Sequence, residues 1–314
     1  MSDITDDPLY RFDPEWQESA GSGPDPEESA GSGPDPQQPV LVVALEGWVD
    51  AGMGASAAMA DLLTSSAVRN VATFETETLI DQRARRPIAR LVDGITTELT
   101  WPSIRLLAGT DRVGAPVLYL VGPEPDFRWR RFIDAVTTLA RMLRVRMVVG
   151  LGAFPAPAPH TRPVRLASTV PPSSVALART VGFVQGTLEV PAGIQAALEV
   201  ALGQAGIPTI GLWARVPHYV SAMTFPEASV ALIDGLCALT GLVFDTSGLR
   251  SAARQSRVQV DELIAANAEH VEMVRRLEAA IDSEEGQPLT MTGDMPSGDE
   301  IAAELERFLR EEGG

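Results

Sequence analysis

Apolar residues fall along this chain in two alternating rhythms. Short unbroken runs occupy residues 40–45 (VLVVAL), 116–121 (PVLYLV), 145–151 (VRMVVGL) and 207–213 (IPTIGLW). Runs of this length, rich in β-branched residues, suit strands buried on both faces of a sheet. Between them lie stretches with helical spacing: the Ala-rich 53–66, then 127–144 with Phe132, Val136, Leu139 and Leu143 on one face, then 192–205 and 226–241. Strands alternating with helices predict an α/β fold, with a central mixed, mostly parallel sheet and helices on both faces. Residues 86–101 differ. Two alternating runs flank Asp93-Gly94, which predicts a β-hairpin as an addition to the α/β fold.

The rhythm changes at both ends. Residues 247–283 predict one long helix, with Val260, Leu263, Ile264, Asn267, Val271, Val274, Leu277 and Ile281 along an apolar stripe. Asn267 interrupts that stripe, where it would set register. After a break at 286–296, Ser297 and early acids announce a last helix that ends at Gly313-Gly314. Near the start, residues 17–26 (QESAGSGPDP) and 27–36 (EESAGSGPDP) form a tandem repeat with almost nothing apolar to bury. The expected organisation is an acidic disordered segment over 1–38, an α/β core over 39–245 and a helical C-terminal extension over 246–314. The piece LYRFDPEW at 9–16 is apolar enough to pack on the core or to dock elsewhere.

Charge sharpens this division. The net charge of −17 sits entirely in the two ends. Residues 1–38 carry ten acidic and one basic side chain, residues 282–314 carry ten and two, and the stretch between them holds 22 of each. A neutral middle offers no electrostatic footprint for nucleic acid or an anionic membrane. All 25 basic residues are Arg. Without Lys there is no Schiff base, Walker lysine or lysine general base. The single Cys237 excludes an internal disulfide and suits a reducing compartment. No signal-peptide pattern opens the sequence and no run of roughly 18 apolar residues interrupts it, so a cytoplasmic protein is expected.

The stretch LVVALEGWVDAGMGAS at 41–56 is the first candidate site. Gly47 and Gly52 have the spacing of a phosphate-binding Walker loop, but Met53 stands where its Lys belongs. Gly52-Met53-Gly54-Ala55-Ser56-Ala57 matches a dinucleotide fingerprint, with Glu75 or Glu77 at the distance of a ribose-binding acid. Six residues separate Leu45 from Gly52, however, and Glu46 and Asp50 would repel a pyrophosphate. The loop reads better as the rim of a cleft at the carboxyl ends of the strands. Asp50 is equally placed to cap the following helix.

Other chemical residues follow other strands. GPEPDFRW at 122–129 brings Glu124, FPAPAPHTRP at 154–163 brings His160 and Arg162, WARVPHYV at 213–220 brings His218, and DQRARRP at 81–87 brings Arg85. Two of the three histidines thus lie just after predicted strands. Glu46, Trp48, Asp50, Arg85, Glu124, His160, Arg162 and His218 are the candidate cleft. Arg and His could hold a phosphate or carboxylate while Glu46 or Asp50 served as base. The same residue types make ordinary ion-pair networks. No metal-ligand spacing and no G-x-S-x-G nucleophile turn is present, and no cofactor or metal is expected.

In combination these blocks resemble a known family. ALEGWVDAGMGASAA is similar to the opening signature of the proteasome assembly chaperone 2 family, bacterial branch. RARRP, GPEPDFRW, PHTRP and VPHYVSA follow in the order of that family's later blocks. The resemblance covers about residues 40–245. It implies a nucleoside-phosphorylase-like core with a helical C-terminal extension, and a homo-oligomer, with a trimer among the options. It implies a protein-interaction or assembly role. The alternative is an enzyme or small-molecule sensor of the nucleoside phosphorylase or hydrolase kind, acting at the strand-end cleft. Eukaryotic relatives have a docking tail in which a hydrophobic residue and Tyr precede the last residue; here the sequence closes on Arg310-Glu311-Glu312-Gly313-Gly314.

Overall fold

The computed structural model describes residues 9–20, 37–47, 49–183 and 186–283. In chain order the elements are β1 (Tyr10–Phe12), α1 (Pro14–Ala20), β2 (Val40–Glu46), α2 (Gly54–Ser65), β3 (Arg69–Phe74) and α3 (Thr76–Leu79). Then come β4 (Ile88–Val92), β5 (Ile95–Thr100), β6 (Arg105–Thr110), β7 (Pro116–Pro123), α4 (Trp129–Met142), β8 (Met147–Ala156), β9 (Leu166–Thr169) and α5 (Val175–Val181). The last are α6 (Ile194–Gln204), β10 (Thr209–Pro217), α7 (Pro226–Thr240), α8 (Ser247–Ala265) and α9 (Ala268–Ser283).

Eight strands form one sheet in the order β1-β3-β6-β7-β2-β8-β10-β9. The middle four, β7, β2, β8 and β10, run parallel. Both flanks are antiparallel. The apolar run of β2 shows why the middle is covered twice. Leu41 and Val43 point into one core with α4 and α6. Val40 and Val42 point into the other with α2, α7 and α8. On α4, Phe132, Ala135, Val136, Leu139 and Ala140 are the buried face, the stripe that helical periodicity requires.

The edges depart from the sequence expectation. Tyr10 and Phe12 are buried, and β1 pairs with β3 through Tyr10↔Phe74. The Arg69 guanidinium lies 4.4 Å from the Trp16 ring centroid, a cation–π contact that ties α1 down as well. Residues 9–20 therefore lie with the core and not with the expected disordered segment. The repeat falls mostly on 21–36, outside the described residues, as does the last helix expected after Ser297.

The long C-terminal helix is broken in two. Asn267 leaves the stripe: its Oδ1 accepts the Glu269 N–H at 2.8 Å and so caps α9. Val260 of α8 and Val274 and Ile281 of α9 are the buried residues of this pair. The hairpin forms as its turn residues demand, with Asp93 and Gly94 at φ 51° and 82°. No helix among the described residues is long and apolar enough to cross a membrane.

Candidate functional site

The loop after β2 is built for close packing. Gly52 has φ 64°, donates its N–H to the Ser221 carbonyl at 2.7 Å and accepts the Phe225 N–H at 2.8 Å. A Cβ there would stand 2.7 Å from the Phe225 Cβ, so glycine is needed on both counts. Asp50 then accepts the Ala55 N–H at 2.8 Å and the Ser56 N–H at 2.9 Å. These are amides of the first turn of α2, where a bound phosphate would sit. The chain's own carboxylate fills that place. Trp48 lies outside the described residues.

Glu46, Arg85 and Glu124 come together at the ends of β2 and β7. The Glu46 carbonyl accepts the Glu124 N–H at 3.0 Å and an Arg85 Nη2–H at 3.0 Å. The Glu46 side chain itself is exposed. The Glu124 carboxylate accepts the Ile194 N–H and so holds the head of α6. It also presses on Gly47, where a Cβ would stand 3.0 Å from Glu124 Oε2.

His160 and Arg162 belong to a separate cluster under α8 and α9. His160 is 3% exposed. Its backbone N–H donates to the Tyr219 hydroxyl at 2.8 Å, Nδ1 lies 2.7 Å from the same oxygen, and Nε2 lies 2.9 Å from Asp261 Oδ1. One proton arrangement satisfies all three contacts. Tyr219 accepts the backbone N–H and gives its own proton to Nδ1, while Nε2–H donates to Asp261. Burial pushes the Tyr219 hydroxyl up to about 12, which keeps that proton in place near neutrality.

Beside it, Arg162 grips Asp282 with Nε at 2.9 Å and Nη2 at 2.7 Å, and reaches Glu278 with Nη1 at 3.2 Å. The hydrogen bonds from Arg162 hold the Asp282 carboxyl below its usual value. The Thr161 hydroxyl also donates to Glu278. The order Tyr–His–Asp looks like a catalytic relay, but its hydroxyl end is already hydrogen-bonded and half-buried. It works as a clasp that fastens the C-terminal helices to the loop after β8. His218 is exposed, and its ring packs edge-on against Tyr219 at 5.3 Å between centroids.

The candidate residues thus divide into the helix cap of Asp50, the rim of Glu46, Arg85 and Glu124, and the clasp of His160 and Arg162. Asp261, Glu278 and Asp282 complete the clasp and carry no sequence signal. Only their place on the polar side of an amphipathic helix could have suggested a partner. Two cavities among the described residues are small, with room for about one water (about 10 Å³ each). One is apolar and internal, between Leu41 and Val145, and the other lies beside Arg162 and Ile281. Among the described residues no group of three or more His, Cys, Asp or Glu side chains is placed to hold a metal ion.

Comparison with known proteins agrees with this architecture. The model of the PAC2 family matches residues 44–264. A search of curated proteins found no match. Among solved structures, a Mycobacterium tuberculosis protein of unknown function is 31% identical, with TM-score 0.77 over 91% of this chain and 95% of its own. A second protein from that organism, titled a proteasome-assembly chaperone homologue, is 36% identical, with TM-score 0.69 over 75% of this chain and 99% of its own. A PAC2 family protein from Streptomyces avermitilis is 34% identical, with TM-score 0.67 over 76% and 100%. The family match and these similar structures agree, and the chain belongs to the PAC2 family.

Proposed function

We propose that this protein is an assembly or protein-interaction factor that acts through exposed apolar surface and associates with copies of itself. The β4–β5 hairpin carries this reading. Every residue of both strands is exposed. Ile88 is 73% exposed, Ile95 67% and Leu91 62%, with Val92, Leu99 and Trp101 exposed beside them. Ile88, Val92 and Ile95 share one face of the ribbon and Leu91 and Leu99 the other. A two-stranded ribbon is marginal in water by itself, and exposed large apolar side chains on both of its faces point to a contact site.

A second copy is the occupant that the chain's own surface favours. Leu188 and Val190 before α6 and Val200 on it are further exposed apolar side chains, distant in sequence from the hairpin. A hairpin seated on a different region of its neighbour makes a head-to-tail contact, which closes into a ring, such as a trimer, where the rotation between copies permits. One of the similar structures is that of a proteasome-assembly chaperone homologue, which is in keeping with an assembly role. The enzyme reading has no comparable observation on its side, because Asp50, Glu124, His160 and Arg162 are engaged in structural hydrogen bonds.

Sedimentation velocity tests the proposal on the full chain. Wild type is expected to sediment as an oligomer, and the Ile88→Asp, Ile95→Asp double variant as a folded monomer with unchanged circular dichroism. A monomeric wild type, or a double variant with wild-type mass, overturns it.

A further inference from the structure

α6 is an apolar helix with one charged residue, Glu199, and that residue faces the sheet. Its side chain is 7% exposed. The sheet is cut away to admit it. A Cβ at Gly211 would stand 2.3 Å from Glu199 Oε1, and one at Gly150 would stand 2.5 Å from Gln195 Nε2. The Thr169 hydroxyl of β9 donates to Glu199 Oε1 at 3.0 Å, and the Trp213 indole N–H of β10 donates to Thr169 Oγ1 at 2.9 Å. The Trp213 ring lies over Gly152, where a Cβ would come within 2.4 Å of it. Gln195, one turn earlier, brings its amide to the carboxyl, yet its buried Nε2 makes no well-formed hydrogen bond.

Among the described residues no cation pairs with this carboxylate. The charges on the elements around α6 are Arg215 of β10, Glu124 at the helix head, and Arg130, Arg131, Asp134 and Arg141 of α4. None of them sets its proton affinity. Burial pushes the carboxyl up to about 7, and the hydrogen bond from Thr169 and the nearby Gln195 amide oppose that rise.

We propose that Glu199 is a proton-controlled clasp, which when neutral seats α6 on β9 and β10 and when ionised loosens that seat together with residues 186–193 leading into it. Those residues have no regular secondary structure and carry the exposed Leu188 and Val190. The direction follows from linkage. The carboxyl's ordinary value is 4.5 and its folded value about 7, so the seat is tightest below 4.5 and is lost as pH rises to about 7. Opening of α6 then grows roughly tenfold per pH unit across that interval and levels off above it.

The Trp213 indole N–H resonance reports the charge directly through Thr169, and hydrogen exchange of 194–204 reports the opening. In the wild-type chain both are expected to titrate with a midpoint near 7. With exchange expressed as protection, Glu199→Gln is expected to be flat in both, and Thr169→Val, which removes a bond favouring the charged form and with it the Trp213 link, to shift the exchange transition to higher pH. The proposal is overturned if Glu199→Gln titrates like wild type, if Thr169→Val leaves the midpoint in place, or if wild type shows no transition between about pH 5 and 9.

Discussion

The clasp under α8 and α9 and the β4–β5 hairpin are opposites. In the clasp, His160, Tyr219, Asp261, Arg162, Glu278 and Asp282 look like chemistry and are spent on one another. In the hairpin, Ile88, Leu91 and Ile95 look like structure and have nothing to pack against within the described chain. A polar group with its hydrogen bonds made is at rest, whereas an apolar group in water is not. The difference teaches that the unspent interaction energy of this molecule lies on its apolar ribbon. The ion-pair clusters that draw the eye in the sequence join elements of the fold to one another.

The variants that break this contrast span a wide range of protomer stability. His160→Ala removes a buried ring and strands the Tyr219 and Asp261 partners, so a loss of about 4 kcal/mol is expected in urea unfolding. Faster exchange in α8 should accompany it. Glu199→Gln sharpens the contrast from the other side, since this polar group is buried without a cation. Above pH 7 the variant is expected to be more stable than wild type by about 3 kcal/mol, and below pH 4.5 equal to it, as the shift from 4.5 to about 7 requires. Arg162→Ala breaks part-exposed ion pairs and should cost about 1 kcal/mol, less in high salt. The hairpin variant Ile88→Asp, Ile95→Asp should leave protomer stability within about 0.5 kcal/mol while abolishing association.

The sequence rhythm made the buried middle of the sheet readable. VLVVAL and PVLYLV are continuous apolar runs because both faces of β2 and β7 are covered. β3 (RNVATF) and β6 (RLLAGT) mix polar and apolar residues near the antiparallel flank, and β9 has four residues, so no run announces them. Asn267 read as a register residue inside one helix, whereas the same side chain ends one helix and caps the next. Asp50 was open to either a catalytic or a capping role, and its two hydrogen bonds to α2 show the cap. The partnership of His160 with Asp261 spans 101 residues, a distance that no local pattern encodes. Glu199 did leave a trace: one acid in the apolar helix IQAALEVALGQ, opposite the Gly-Leu pairs of VVGLGAF and TIGLWAR.

The central claim is that the hairpin is held by another copy of the chain. Hydrogen exchange of the amides in 88–100, followed over a protein concentration series, tests it most directly. Protection of those amides is expected to rise with concentration in the wild-type chain and to stay low at every concentration in the Ile88→Asp, Ile95→Asp variant. Hairpin exchange that is the same at all concentrations, or equally protected in the two proteins, would contradict the account.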